Sequence, residues 1–232
     1  MFSKYLSRFS NNIGIDLGTS NTVICLSDHG IIFNEPTVVA INNKTNKIIA
    51  IGEEAMNMIG RTPEHIKIIR PINKGVISDY EITEEFLSIL INKANSINKK
   101  FLRPQVIIGV PVNVTDVEIK AVEDVAMSAG AGKVFVIEEP ALAALGMNLS
   151  IDTPKGVMIV DIGGGTTDIV ILSLSGIVFR KSIKIAGEKM NKSIETYVRN
   201  NYKMIIGEKT TEEIKLSIAS ALLDEWTEIK SI

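Results

Sequence analysis

Two short segments hold the residues best suited to chemistry in this chain. Ile15-Asp16-Leu17-Gly18-Thr19-Ser20-Asn21-Thr22 and Val160-Asp161-Ile162-Gly163-Gly164-Gly165-Thr166-Thr167 align on Asp16 and Asp161, 145 positions apart. A turn without bulky side chains lets backbone N–H groups approach an anion closely. The small hydroxyl and amide residues Thr19, Ser20, Asn21 and Thr166 add donors. A carboxylate at the strand end can hold Mg2+, usually through water, because that ion keeps part of its hydration shell. Asp-Leu-Gly alone reads as an ordinary hairpin turn. Three successive glycines, Gly163 to Gly165, cost backbone entropy that a plain turn does not require. Together the copies point to two related halves closing on the phosphates of one nucleotide.

Short apolar strands must position these turns. Ile13-Gly14-Ile15 and Val157-Met158-Ile159-Val160 lead in, and Val23-Ile24-Cys25-Leu26 and Ile169-Val170-Ile171-Leu172 lead out. After the first hairpin, Gly30 to Pro36 runs into a β-rich stretch, Thr37 to Ile41. A polar loop (42–47) and a returning strand (48–51) follow, then a short helix from Glu53 to Ile59 ended by Gly60 and an extended piece from Ile66 to Arg70. Residues 33–74 therefore read as a small insertion. Thr83, followed by Glu84 and Glu85, is expected to cap a long helix with Phe86, Leu87, Leu90, Ile91 and Ala94 on its buried face and Lys99-Lys100 at its end. A strand at 106–111, a helix from Thr115 to Gly130, a strand at 134–137 and a helix beginning at Pro140 complete the first half. The second half repeats the hairpin at 157–173 and adds a strand (177–185) and a helix from Gly187 to Tyr202. A further helix is expected from Thr210 to about Leu222, with a strand toward Ile232. Alternating strands and helices predict an α/β sheet with helices on both faces, its second half incomplete.

Bulk properties narrow the function classes. With 232 residues, 45% hydrophobic and 22% charged, the chain can bury one large or two smaller cores. A net charge of −2 gives no electrostatic case for nucleic-acid binding. Cys25 is the only cysteine, and His29 and His65 have no neighbours at ligand spacing, which argues against a transition-metal site. There is no nucleophile elbow of a Ser-His-Asp hydrolase. Without a secretory h-region or an apolar run of about 18 residues, the expected location is cytoplasmic. At the N-terminus, Phe2, Tyr5, Leu6 and Phe9 fall on one helical face, with Lys4 and Arg8 on another side. That pattern suits a short helix lying in an anionic membrane interface, and equally a disordered terminus with chance spacing.

The chain resembles the MreB family of bacterial actin homologues, within the actin–Hsp70–sugar-kinase superfamily. The match runs through the first turn, Asn34-Glu-Pro-Thr-Val-Val-Ala-Ile41, Gly52-Glu-Glu-Ala55, Gly60-Arg-Thr-Pro63 and Ile69-Arg-Pro71. It continues through Gly75-Val-Ile-Ser-Asp79, Ile137-Glu-Glu-Pro140, the second turn, Ile206-Gly-Glu208 and Glu212-Glu-Ile-Lys215. The resemblance implies an actin-like ATPase fold of duplicated ribonuclease H-like halves. Its subdomains would be 13–32 with 75–141, the insertion 33–74, then 142–186 and 187–232, both incomplete, with 1–12 as a membrane-binding segment. It implies that Asp16, Gly18, Thr19, Ser20 and Asn21 grip ATP from one side, and Asp161, Gly163, Gly164, Gly165 and Thr166 from the other. Mg2+ would lie between Asp16 and Asp161, held through water, and Gly187, Glu212 and Lys215 would complete the nucleotide site. Glu139 would orient the attacking water with help from Thr166. Without the resemblance, Glu139 reads as a carboxylate favoured at a helix start and Glu212 with Lys215 as a solvated helix pair.

The implied protein is a filament-forming ATPase at the inner face of the cell membrane. Its partners would be further copies of itself, the membrane and cell-wall elongation proteins, and it would help determine cell shape. The family runs roughly a hundred residues further, through a Gly-rich adenosine turn, so the chain is expected to be shortened at its C-terminus. Two other readings share the motifs: an Hsp70-type chaperone ATPase domain, opposed by the small insertion, and a non-catalytic membrane scaffold, opposed by Glu139 and Thr166.

Overall fold

A computed structural model describes residues 10–220. Contacts divide the chain after Lys184, and the two units are taken separately.

The first unit is built on a five-stranded sheet. Its strands are β1 (Ser10–Leu17), β2 (Asn21–Leu26), β3 (Gly30–Pro36), β9 (Leu102–Val110) and β10 (Lys133–Glu138), in the order β10-β9-β1-β2-β3. β1, β2 and β3 pair antiparallel, whereas β1, β9 and β10 run parallel. Because side chains alternate along a strand, Ile13, Ile15 and Leu17 of β1 share a buried face with Val106, Ile108 and Val110 of β9. Parallel neighbours need crossover helices, which here are α2 (Tyr80–Ile97) and α3 (Asp116–Ser128). Phe86, Leu87, Leu90, Ile91 and Ala94 of α2 and Val122, Val125 and Ala126 of α3 cover the buried face. The expected stripe on α2 is the observed one, but its cap is not Thr83. Asp79 caps the helix by accepting from Ile82 N–H at 3.1 Å, and Thr83 lies inside the first turn with its hydroxyl donating to the Asp79 carbonyl. The helix also stops at Ile97, before Lys99.

Between β3 and α2 lies a separate antiparallel sheet, β4 (Val39–Asn42), β5 (Lys47–Ile51) and β6 (Ile66–Ile69), with helix α1 (Gly52–Asn57). Val38, Ala40, Ala50 and Ala55 form its small core. Residues 33–36, read with the insertion from sequence, lie on β3 of the large sheet. A hairpin of β7 (Ile72–Asn73) and β8 (Val76–Ile77) leads back to α2.

The second turn sits on another sheet, β11 (Val157–Ile162), β12 (Thr167–Ser173) and β13 (Gly176–Ile183), preceded by helix α4 (Glu139–Gly146). Val112, Ala144, Ile159, Val170 and Leu172 make its core. Its other face is open, with Met158, Val160 and Ile162 exposed.

The second unit contains α5 (Gly187–Tyr202) and α6 (Glu208–Ile218). α5 has the expected bounds. α6 begins earlier than Thr210 because Gly207 is its N-cap, and this puts Thr211 and Ile214 on its buried side. The helix ends at Ile218 rather than near Leu222. The expected strand toward Ile232, and the N-terminal membrane residues Phe2, Tyr5, Leu6 and Phe9, lie outside the described residues. No helix among the described residues is long and apolar enough to cross a membrane.

Candidate functional site

The structure brings the two turns face to face. In the first, Asp16 ends β1 and pairs with Val23, so the chain reverses at Gly18 to Ser20. A Cβ on Gly18 would lie 2.7 Å from the Asn21 carbonyl oxygen, so only glycine fits the reversal. In the second, Gly163 N–H donates to the Thr166 carbonyl at 2.9 Å and closes the same turn. A Cβ on Gly164 would overlap Ser20 Oγ, and one on Gly165 would lie 2.8 Å from Lys74 Cα and 3.0 Å from Thr19 Oγ1. The hydroxyls of the first turn thus occupy the space that the glycines of the second leave open.

The first turn is held from outside by residues that sequence reasoning did not select. Thr37 N–H donates to the Ser20 carbonyl at 2.8 Å, and Thr37 Oγ1 donates to the Gly18 carbonyl at 2.7 Å. With its proton so used, Thr37 Oγ1 must accept from Thr22 Oγ1, 2.8 Å away. Both threonines are fully buried. A trans peptide sets its C=O and N–H in opposite directions. Turning the Gly18 carbonyl toward Thr37 therefore directs the Thr19 N–H to the other side, where it is available to an anion. Thr19 Oγ1 accepts from Gly75 N–H at 2.9 Å and keeps its own proton for a further acceptor.

Glu139 reaches the aspartates across Gly109. Gly109 of β9 pairs with Asp16 on one side and Ile137 of β10 on the other, and a Cβ there would lie 3.0 Å from Glu139 Cγ. Desolvation, reinforced by Asp16, Asp161 and Asp168, pushes the Glu139 carboxyl up to about 8. Asp16 and Asp161 are also raised, each first by desolvation, then by Asp161 and Asp168 respectively. Asp16 still opens to solvent, so its surroundings are those of a cleft wall and not of a sealed core. Asp168 is buried opposite Asp161 in the β11–β12 ladder. One of its oxygens accepts from Val112 N–H at 3.3 Å, and the other, Oδ1, has no protein partner. A period-2 reading could have found it, because Asp168 shares a face with Val170 and Leu172, both buried.

This arrangement fits a hydrated divalent cation. Burial and neighbouring carboxylates raise the proton affinity of Glu139, Asp16 and Asp161, and Asp168 keeps a buried oxygen unpaired; a positive charge among them would relieve both conditions. Among the described residues no three such groups converge closely enough to ligate a metal directly, so Asp16 and Asp161 would hold Mg2+ through its water shell. Such an ion would neutralise charge developing on transferred phosphoryl oxygens.

The other expected nucleotide residues are in the second unit. Gly187 opens α5. Lys215 Nζ and Asn191 Nδ2 both donate to Glu212 Oε2 at 2.7 Å. Burial pushes the Glu212 carboxyl up, but these two hydrogen bonds outweigh it and leave it below its ordinary value.

A paired set of glycine turns with an acidic floor narrows the choice of family, and comparison with known proteins decides it. The profile of the family described as MreB/Mbl protein matches residues 10–232. The chain belongs to the MreB/Mbl family. It is 48% identical over 212 residues to the cell shape-determining protein Mbl of Bacillus cereus, covering 91% of this chain and 63% of that protein. It is 44% identical over 237 residues to the cell shape-determining protein MreB of Escherichia coli K12, covering 99% and 68%. The crystal structure of MreB5 of Spiroplasma citri bound to ADP superposes with a TM-score of 0.86 at 38% identity, over 93% of this chain and 64% of that one. A MamK double helical filament shares the fold, with a TM-score of 0.72 at 22% identity, over 89% and 64%. The fold is the actin-like α/β fold, and this MreB/Mbl chain spans about two thirds of the length of the relatives it matches.

Proposed function

We propose that the chain carries the phosphate-gripping part of an actin-like cytoskeletal ATPase that assembles into membrane-associated filaments and directs cell shape and wall synthesis. The observation that carries this reading is Glu139 reaching across Gly109 to Asp16, beside two interlocked turns. Phosphoryl transfer is mainly a matter of positioning and charge stabilisation. Thr19 to Asn21 and Gly163 to Thr166 bind and orient the phosphates of ATP. Glu139 orients the attacking water, and Thr166 assists it. The carboxylate cluster and Asp168 Oδ1 support Mg2+ as the accompanying ion. Two relatives are described as cell shape-determining, and a solved relative holds ADP. These names support a nucleotide-driven cytoskeletal role.

A surface loop supports the membrane part of the reading. Phe101 is 97% exposed and Leu102 and Ile97 are also exposed, flanked by Lys99, Lys100 and Arg103. Lys100 Nζ donates to the Ser10 carbonyl at 3.2 Å, and Ser10 pairs with Leu102. The loop therefore lies beside the start of β1 at Ser10. Bare aromatic and aliphatic side chains flanked by the exposed cations Lys99 and Arg103 suit an anionic lipid surface.

Calorimetric titration with Mg·ATP, followed by phosphate release, tests the nucleotide reading. Binding lost in Asp16→Ala, and release reduced by about 10²-fold or more in Glu139→Ala, is the expected result. A folded chain that binds no Mg·ATP would overturn it. Co-sedimentation with anionic vesicles, lost in Phe101→Ser, checks the membrane part.

A further inference from the structure

The residues that bind phosphate do not themselves explain what fixes Glu139. It opens α4, whose N-cap residue Glu138 makes no side-chain capping bond. Glu138 instead points to the second sheet, where Arg180 of β13 donates to its Oε1 at 2.8 Å. The same Arg180 nitrogen approaches the Val112 carbonyl at 3.5 Å, while Asp168 of β12 accepts from the Val112 N–H. Val112 is buried with Ile159, Val170 and Leu172, just beyond the end of β9. Side chains of β12 and β13 thus hold both polar groups of one peptide residue, and one of them also holds the residue bonded to Glu139. The two segments so held are the exits of β9, which carries Gly109, and of β10, which leads directly into Glu139.

We propose that Arg180 is a positioning residue for Glu139: by tying Glu138 and Val112 to β13, with Asp168 on the Val112 amide, it sets the carboxylate against the phosphates held by the second turn. The proposal rests on the hydrolytic reading above. The second turn and Arg180 belong to one three-stranded sheet, so phosphate and Glu139 are referred to the same frame. A shift of the carboxylate by a fraction of an ångström alters water attack far more than it alters nucleotide affinity. Both partners of the Arg180–Glu138 pair are partly exposed, and such a pair adds little to stability. Its effect on rate is therefore separable from any effect on folding.

The test compares Arg180→Ala, Arg180→Lys and Glu138→Gln with the unaltered chain in Mg·ATP affinity, phosphate release and thermal melting. Arg180→Ala is expected to lower kcat about tenfold while affinity and Tm stay near their original values. Arg180→Lys should recover much of the rate, since an ammonium can still reach Glu138. An unchanged kcat in Arg180→Ala, or a fall in affinity matching the fall in rate, overturns the proposal. If Arg180→Ala melts far below the original chain, Glu138→Gln decides, and an unchanged kcat there overturns it equally. An unaltered chain that binds Mg·ATP but releases no phosphate overturns the hydrolytic reading and this proposal with it. A normal rate in the unaltered chain with no effect in the variants removes only the positioning role.

Discussion

The two glycine turns close their hairpins in the same register and differ most in the two residues that follow the first glycine. Gly18 and Gly163 each sit over the carbonyl three residues ahead, at Asn21 and Thr166. Where the first turn continues with Thr19 and Ser20, the second continues with Gly164 and Gly165, and these are the residues that meet across the gap. The difference is therefore a fit between knobs and hollows. Gly164 is required by Ser20 of the first turn, and Gly165 by the Lys74 backbone together with Thr19. Support differs too. The first turn is held by Thr37, Thr22 and Gly75 from neighbouring segments, and the second closes on itself through Gly163 and Thr166.

The sharpest way to break this comparison is Gly164→Ala. The new methyl meets Ser20 Oγ, which can rotate away, but also Ser20 Cβ at 2.8 Å and Ser20 N at 3.1 Å, which cannot. Overpacking of this kind costs about 1–3 kcal/mol, so Mg·ATP affinity should fall by one to two orders of magnitude. Adding Ser20→Gly should restore stability and part of the affinity in calorimetry. A double variant no better than the single one would show that the turns do not interlock. Next comes the contrast between Gly18→Ala and Gly163→Ala in urea unfolding. The first puts a methyl 2.7 Å from a backbone oxygen and the second 3.4 Å. The expected loss is about 1–3 kcal/mol for Gly18→Ala and under about 1 for Gly163→Ala; equal losses would contradict the geometry. Thr37→Val, which strips a hydroxyl from the first turn only, should cost about 1 kcal/mol and weaken ATP binding without touching the second turn.

The smallest effect is a slope. The Glu139 carboxyl ionises at about 8 in the folded chain against an ordinary 4.5, so between those values the folded chain holds the extra proton. Without divalent cation, stability should fall as pH rises from about 4.5 and level off above about 8. Glu139 is only half-buried, so the slope is shallow. Glu139→Gln should flatten it in melts recorded across that range, and a slope unchanged in that variant would place the titrating group elsewhere.

Much of this was legible because the signals are local. The turns announce themselves by glycine and hydroxyl residues between apolar runs, and Thr115 with Glu118 caps α3 in the reciprocal pattern its spacing predicts. The supports of the site were hidden for the opposite reason. Thr37 lies 19 positions from Gly18 and Arg180 lies 42 from Glu138, and no periodicity reports such pairings. Thr83 misled because it satisfies the same capping rule as Asp79 one turn earlier. The choice between them is made by tertiary packing, since Ile82 and Thr83 both turn toward the core.

The Thr22–Thr37–Gly18 relay has a mechanical meaning. Thr37 stands in the two-residue link between β3 and β4, where the inserted sheet begins. Its amide and its hydroxyl are both fastened to carbonyls of the first turn, so that link is a bearing and the relay is its key. A tilt of the inserted sheet would pull on the Gly18 and Ser20 carbonyls, and a phosphate seated on the first turn would brake such a tilt. By reciprocity, a partner that gripped the inserted sheet would then adjust the hold on phosphate, and Thr37→Val is where the gearing would slip.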